Sequence, residues 1–171
     1  MLDSLVSLQT YDALAHLNGG VGATRQGTAH AYMVPWQAFA VKDGYLVIAV
    51  RDEKFWHNLC EAIGRPDLIS DSRTLDNRAR VENRDFVVRL LSDVFETSTK
   101  AEWMEILDKF DIPAATVNDM KEVFSDPQVQ AREMIQSYNH SSLGEVNYTP
   151  SPMKFSEWKF PNRPTPELDE H

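Results

Sequence analysis

The chain has 171 residues, of which 42% are hydrophobic, so it is long enough for one sizeable core or two small ones. Its 17 basic and 26 acidic side chains give a formal charge of -9, which repels phosphate backbones and argues against a nucleic-acid-binding protein. No apolar run approaches the roughly 20 residues of a membrane span, and a single cysteine cannot form an internal disulfide. These features predict a soluble protein of the reducing cytoplasm.

The first predicted element is a helix over residues 2–17, where leucines and valines recur at mainly helical spacing. Asn18-Gly19-Gly20 supplies a stop signal for it. Residues 19–33 are polar, rich in glycine and follow neither the helical nor the strand period. They are therefore predicted to form a linker.

A hairpin and a second helix are predicted next. Two apolar runs, residues 36–41 and 45–50, flank an Asp-Gly pair, and both residues of such a pair tolerate positive φ. Asp52 is then the predicted N-cap of a helix that extends through Ile63. On this helix Cys60 lies among apolar neighbours, which favours a buried small hydrophobe over a catalytic thiol.

A longer helix is predicted over residues 74–95, and its first half is rich in arginine. Arg78, Arg80 and Arg84 recur there at helical spacing beside acidic residues. A salt-bridged helix face is the favoured interpretation of this pattern, and a cradle for an anionic group is the alternative.

The last third of the chain contains shorter elements. Ser98 or Thr99 is the predicted cap of another helix, which is followed by a strand over residues 114–117. Asn118 is the predicted cap of a further short helix. From residue 134 onward the pattern is strand-like and then extended, because repeated prolines forbid long regular elements.

Together these elements predict an α/β chain with a small α+β domain. An N-terminal helix precedes a central unit of a β-hairpin and helices, and an extended proline-rich tail follows it. Trp36, Trp56 and Trp103 fall on apolar stripes and are predicted to be core residues rather than stacking platforms, whereas Trp158 lies in the tail.

Several short stretches in this order resemble the class III CoA-transferases, the family of formyl-CoA and carnitine CoA-transferases and of α-methylacyl-CoA racemase. Each stretch alone is a weak signal, but their order and spacing are hard to explain by chance. The stretches are MLDSL (residues 1–5), RQGTAH (25–30), PWQAF (35–39), KDGY (42–45), DNRARVENR (76–84), IPAATV (112–117), DPQVQAR (126–132) and PMKFS (152–156).

The resemblance implies a domain organisation. Residues 1–31 would be a helix and linker of a large Rossmann-like domain, most of which is expected to be missing from this sequence. Residues 32–132 would form the small α/β domain, and residues 133–171 a strand and extended tail that return to the large domain. Members of the family form interlocked homodimers, so a homodimer, or association with an N-terminal Rossmann-like half, is expected.

The resemblance also implies a chemistry, in which CoA moves between an acyl-CoA and a carboxylic acid. Asp3 is the expected catalytic residue: its carboxylate would attack the thioester and pass through a mixed anhydride to an aspartyl-CoA thioester. An ordinary acidic residue in the first turn of a helix is the alternative interpretation of Asp3. Without the large domain the chain is expected to be a weak or inactive CoA-transferase.

His30 and Tyr32 are the candidate substrate-proximal residues, because they lie where the family brings its small domain toward the thioester. A plain loop histidine is the alternative for His30. The sequence has no metal-binding spacing of histidines or cysteines, so no metal is predicted. No permanently bound cofactor is predicted either, and CoA and acyl-CoA are expected as substrates.

The sequence is also compatible with two other functions. One is a non-catalytic module or split-enzyme subunit that binds a partner chain through its first helix and its tail. The other is 2-methylacyl-CoA racemase activity, which requires a general base pair to move the α-proton.

Overall fold

The computed structural model describes residues 1–19, 24–158, 160–161 and 164–166. The chain divides into two compact units, Met1–Val117 and Asn118–His171. The first unit is a mixed α/β domain, as predicted, with helices beside a small antiparallel sheet. The domain boundaries expected after residues 31 and 132 stay a prediction.

Two short helices open the chain, where one was predicted. They are α1 (Leu2–Leu8) and α2 (Thr10–Gly19), and the break falls at Gln9, whose ψ of 37° leaves the helical region. The Thr10 hydroxyl donates to the carbonyl of Ser7 at 3.3 Å, a local bond of the kind that competes with helix propagation. Neither helix contains a buried residue.

A three-stranded antiparallel sheet forms the centre of the first unit. Its strands are β1 (Trp36–Val41), β2 (Gly44–Ala49) and β3 (Ala114–Val117), in the order β1-β2-β3. The predicted hairpin and the predicted third strand are confirmed. At the hairpin turn Asp43 accepts a hydrogen bond from the backbone N–H of Lys100 at 2.7 Å, which ties the turn to the start of a distant helix.

Three longer helices supply half of the buried hydrophobic residues. They are α3 (Glu53–Ala62), capped by Asp52 as predicted, α5 (Arg84–Phe95), and α6 (Lys100–Lys109), capped by Thr99 in a capping box. Helices α5 and α6 pack against the sheet, and α3 packs against α6. The buried hydrophobic residues include Val34, Phe39, Leu46, Ile48, Trp56, Leu59, Cys60, Leu91, Phe95, Trp103 and Leu107.

Cys60 is fully buried in this core, so the prediction of a small buried hydrophobe is confirmed. Burial raises the pKa of its thiol to about 12. The thiolate is therefore scarce at neutral pH, which argues against a catalytic nucleophile.

The helix predicted over residues 74–95 is two helices, and the single-helix prediction was wrong. Helix α4 (Asn77–Glu82) begins after its N-cap Asp76, and Asn83 separates it from α5. The side-chain amide of Asn83 donates to the carbonyl of Ala79 at 2.9 Å, the same oxygen that its backbone N–H binds. A 3-10 helix (Pro66–Ile69), absent from the sequence prediction, lies between α3 and α4.

The second unit contains two short helices and a hairpin. Helices α7 (Met120–Ser125) and α8 (Pro127–Ala131) precede the strands β4 (Gln136–His140) and β5 (Gly144–Tyr148). The cap of α7 is Asp119, not Asn118 as predicted, because Asp119 forms a capping box with Glu122.

Candidate functional site

A cavity of about 760 Å³ in the first unit contains two of the three candidate site residues. His30 and Tyr32 both line it, so the structure brings them together. Aromatic side chains form much of the wall, and Arg51 is the cationic group among the lining residues. The full lining is Tyr11, Asp12, Thr24, Gln26, Ala29, His30, Ala31, Tyr32, Met33, Trp36 and Arg51.

Three contacts hold His30, one through its backbone and two through its imidazole. It stacks on the indole of Trp36, with ring centroids 5.0 Å apart and an interplanar angle of 26°. The backbone N–H of His30 donates to the carbonyl of Trp36 at 2.8 Å, and the N–H of Tyr32 donates to Nδ1 of His30 at 3.1 Å. Because Nδ1 is an acceptor here, the neutral ring carries its proton on Nε2, which remains as the donor.

Trp36 differs from its sequence prediction. It is half-buried and stacks on His30, so it is a stacking platform as well as a part of the domain. Trp56 and Trp103 are buried in the core, as predicted. One signal could have indicated the stack, since His30 lies near the end of the predicted linker and Trp36 begins the first strand. The apolar stripe that contains Trp36 predicted a core position instead.

The three arginines of the DNRARVENR stretch have three different environments. Arg78 is exposed and pairs with Glu82 at 2.9 Å, which fits the predicted salt-bridged face. Arg80 is fully buried and binds both oxygens of Glu53, at 2.7 and 3.0 Å. Arg84 is half-buried and donates to backbone carbonyls of the loop that carries His30.

Asp3 lies apart from these residues in its contacts. It is exposed in the first turn of α1, and it is not among the residues that line the cavity. Asp12 of α2 is half-buried and lines the cavity. The catalytic role of Asp3 and the substrate-proximal roles of His30 and Tyr32 stay predictions.

The described part of the chain contains no group of three or more His, Cys, Asp or Glu side chains that could hold a metal ion. In the same ranges no helix is long and apolar enough to cross a membrane. The cavity offers hydrogen-bond donors, the Arg51 guanidinium, the Asp12 carboxylate and aromatic faces. The donors and the guanidinium suit carbonyl or carboxylate oxygens of a ligand.

Comparisons with known proteins identify similar chains. The model of CoA-transferase family III matches residues 1–171. Succinyl-CoA:glutarate CoA-transferase of Homo sapiens is 32% identical over the whole chain, and succinyl-CoA:mesaconate CoA-transferase of Haloarcula hispanica is 34% identical. The chain covers 39% and 43% of these proteins, so it spans about two fifths of the length of the curated relatives it matches.

A crystal structure of similar fold is that of a CAIB/BAIF family protein from Brucella suis. Its TM-score is 0.80 at 30% sequence identity, over 96% of this chain and 43% of that protein. Like the sequence relatives, the Brucella suis protein is more than twice as long as the part that this chain matches.

Proposed function

The chain belongs to CoA-transferase family III, and on that premise we propose that the protein moves CoA between an acyl-CoA and a carboxylic acid, with Asp3 as the nucleophile. The observation that carries the proposal is the family match over all 171 residues, supported by relatives that are CoA-transferases by name. Activity would depend on the part of the relatives that this chain does not span. A homodimer and a cytoplasmic location belong to the same proposal.

The proposed reaction is a covalent relay with no net redox change. A carboxylate oxygen of Asp3 attacks the thioester carbonyl, the C–S bond breaks, and CoA thiolate leaves. The thiolate then attacks the aspartyl carbonyl of the mixed anhydride, which releases the donor acid and leaves aspartyl-CoA. The acceptor carboxylate repeats these two steps in reverse, and the Asp3 carboxylate is restored.

In this scheme the cavity that contains His30 and Tyr32 receives the acyl group. The Nε2–H of His30 is available to donate to a thioester or carboxylate oxygen, and the aromatic walls can pack on a short acyl chain. Arg51 carries a permanent charge beside these groups, and its contact with Asp52, at 3.6 Å, is a loose one. We therefore propose a dicarboxylic acid as substrate, as the names of several relatives state for those proteins.

The test is a transfer assay on the chain combined with the part of its relatives that it does not span, with succinyl-CoA as donor and glutarate or mesaconate as acceptor. Asp3→Asn should abolish transfer and the covalent CoA adduct, which mass spectrometry of acid-quenched protein would otherwise locate on the peptide that contains Asp3. Asp93→Asn removes an exposed carboxylate from α5 and should leave both readouts unchanged. Transfer that survives in Asp3→Asn would remove Asp3 from the mechanism.

The two alternatives make different predictions in the same experiment. A racemase would incorporate solvent deuterium at the acyl α-carbon of a 2-methylacyl-CoA without forming a covalent CoA adduct. A non-catalytic partner-binding module, which the exposed apolar side chains of α1 and α2 favour, would show neither transfer nor exchange.

A further inference from the structure

The backbone of residues 30–34, which carries His30 and Tyr32, is held by side chains from α4. The amide of Asn77 donates to the carbonyl of Tyr32 at 2.8 Å, and its oxygen accepts from the N–H of Val34 at 3.1 Å. Arg80 donates through Nε to the carbonyl of Val34 at 2.8 Å. Distant side chains therefore satisfy backbone groups that a loop would otherwise direct to water.

Arg84, the first residue of α5, completes this set of contacts. Its Nη2 donates to the carbonyl of His30 at 3.0 Å and to the carbonyl of Ala31 at 2.8 Å. Asn77, Arg80 and Arg84 lie on two successive helices, and all three side chains contact the loop of residues 30–34. Bonds from a guanidinium are charge-assisted and stronger than bonds between neutral groups.

One peptide unit connects Arg84 to the imidazole. Arg84 binds the oxygen of the Ala31–Tyr32 peptide, and the N–H of the same peptide donates to Nδ1 of His30. A trans peptide is planar, with its C=O and N–H pointing in opposite directions, so a fixed oxygen also fixes the direction of the N–H. The N–H in turn requires an unprotonated Nδ1, which selects the ring tautomer.

We propose that Arg84 is a positioning residue that acts through the Ala31–Tyr32 peptide to hold His30 as the Nε2–H tautomer and to aim that donor at the substrate. This inference rests on the proposed CoA-transferase function for its kinetic consequence, but its effect on the tautomer does not depend on catalysis. Asn77 supports the same loop from the next peptide. The arginine-rich stretch thus acts on the protein's own backbone rather than on a bound anion.

The tautomer is measured by nitrogen NMR of the intact protein labelled with ¹⁵N-histidine, with His30→Gln to assign the His30 signals. In the wild type, Nδ1 and Nε2 of His30 should show the separate shifts of a fixed Nε2–H tautomer. In Arg84→Met the two shifts should move toward each other, because the ring would exchange between tautomers. Arg84→Lys, which keeps the charge but not the planar guanidinium and its reach, should give an intermediate result.

The matched control is Arg78→Met, which removes a guanidinium from the neighbouring helix, where the side chain is 88% exposed and, within the described part of the chain, bonds to Glu82 alone. With succinyl-CoA as substrate, kcat/KM should fall about tenfold or more in Arg84→Met, as expected for a misplaced reacting group. The same ratio should stay within about twofold of wild type in Arg78→Met.

The outcomes separate the two proposals. An unchanged His30 tautomer in a folded Arg84→Met or Arg84→Lys protein overturns the positioning role, and so does failure of both variants to fold, since Arg84 would then be a structural residue. A wild-type protein that shows the fixed tautomer but transfers no CoA overturns the proposed function and leaves the positioning of His30 supported. A tautomer that responds to Arg84 while kcat/KM does not removes His30 from the reaction.

Discussion

The domain formed by the sheet and helices of residues 34–117, here called the central domain, buries its apolar side chains, whereas the two N-terminal helices expose theirs. In the central domain, leucines such as Leu59, Leu91 and Leu107 are completely buried between the sheet and the helices. In α1 and α2, Leu5 and Leu14 are each 56% exposed, and neither helix has a buried residue. A helical hydrophobic period therefore predicts an apolar face, but it does not say what covers that face.

The largest effect on stability should come from removing the buried guanidinium of the central domain. Arg80→Met would leave Glu53 without its two-pronged partner and the carbonyls of Val34 and Thr74 without a donor. Losing one member of a buried pair is typically costly, and Glu53 is 43% exposed and can be rehydrated in part, so we expect a loss of about 4 kcal/mol in unfolding free energy. Urea denaturation followed by tryptophan fluorescence measures it.

Arg78→Met is the control for this change, since it removes the same side chain from the same helix at an exposed position. We expect its denaturation midpoint to match wild type. If both variants lost the same stability, the burial of Arg80 would not be the reason for its contribution.

A leucine pair tests the comparison directly at a slightly smaller scale. Leu107→Ala should cost about 3 kcal/mol because it opens a cavity in the core, whereas Leu14→Ala should change stability by less than about 0.5 kcal/mol. Both unfolding free energies come from the same denaturant titration. A large loss in Leu14→Ala would show that α2 packs on a surface in solution and would break the contrast between the two regions.

The smallest effect should appear only in acid. Arg73 donates two side-chain bonds and its backbone N–H to Asp71, which lowers the pKa of that carboxyl from 3.8 to about 2. A lowered folded-state pKa stabilises the protein above the ordinary value of 3.8, and this contribution is lost as the pH falls through about 2. The denaturation midpoint of wild type should therefore fall more steeply over this range than that of Asp71→Asn.

Asp12→Asn is the control in the N-terminal helices, because the carboxylate of Asp12 has no hydrogen bond or ion pair among the described residues. Its acid profile should follow wild type. Parallel profiles for wild type and Asp71→Asn would contradict the role of the Arg73 contacts.

Sequence reasoning succeeded where the signal is local. The hairpin at the Asp-Gly pair, the Asp52 cap and the cap at Ser98 or Thr99 each depend on a few neighbouring residues. The structure confirms the hairpin and the Asp52 cap, and it selects Thr99 as the third cap. The breaks at Gln9 and Asn83 were missed because single side-chain bonds to nearby carbonyls decide them, and helical periodicity does not register such bonds.

The candidate site was predictable only in part. His30 and Tyr32 were placed by resemblance in a loop facing substrate, and they do line one cavity. The residues that hold that loop were not predictable, because Arg84 is 54 positions from His30 and Arg80 is 27 positions from Glu53. An arginine on a helix is by default read as solvent-facing, and only the fold shows that these two point inward.

The buried thiol of Cys60 can report how often the surrounding core opens. It is the single cysteine of the chain, and its thiolate is suppressed while the core is closed. A thiol reagent at neutral pH would therefore modify only those molecules in which the core around Cys60 has opened. When the core recloses faster than the reagent reacts, the labelling rate follows the open fraction and so measures the free energy of opening.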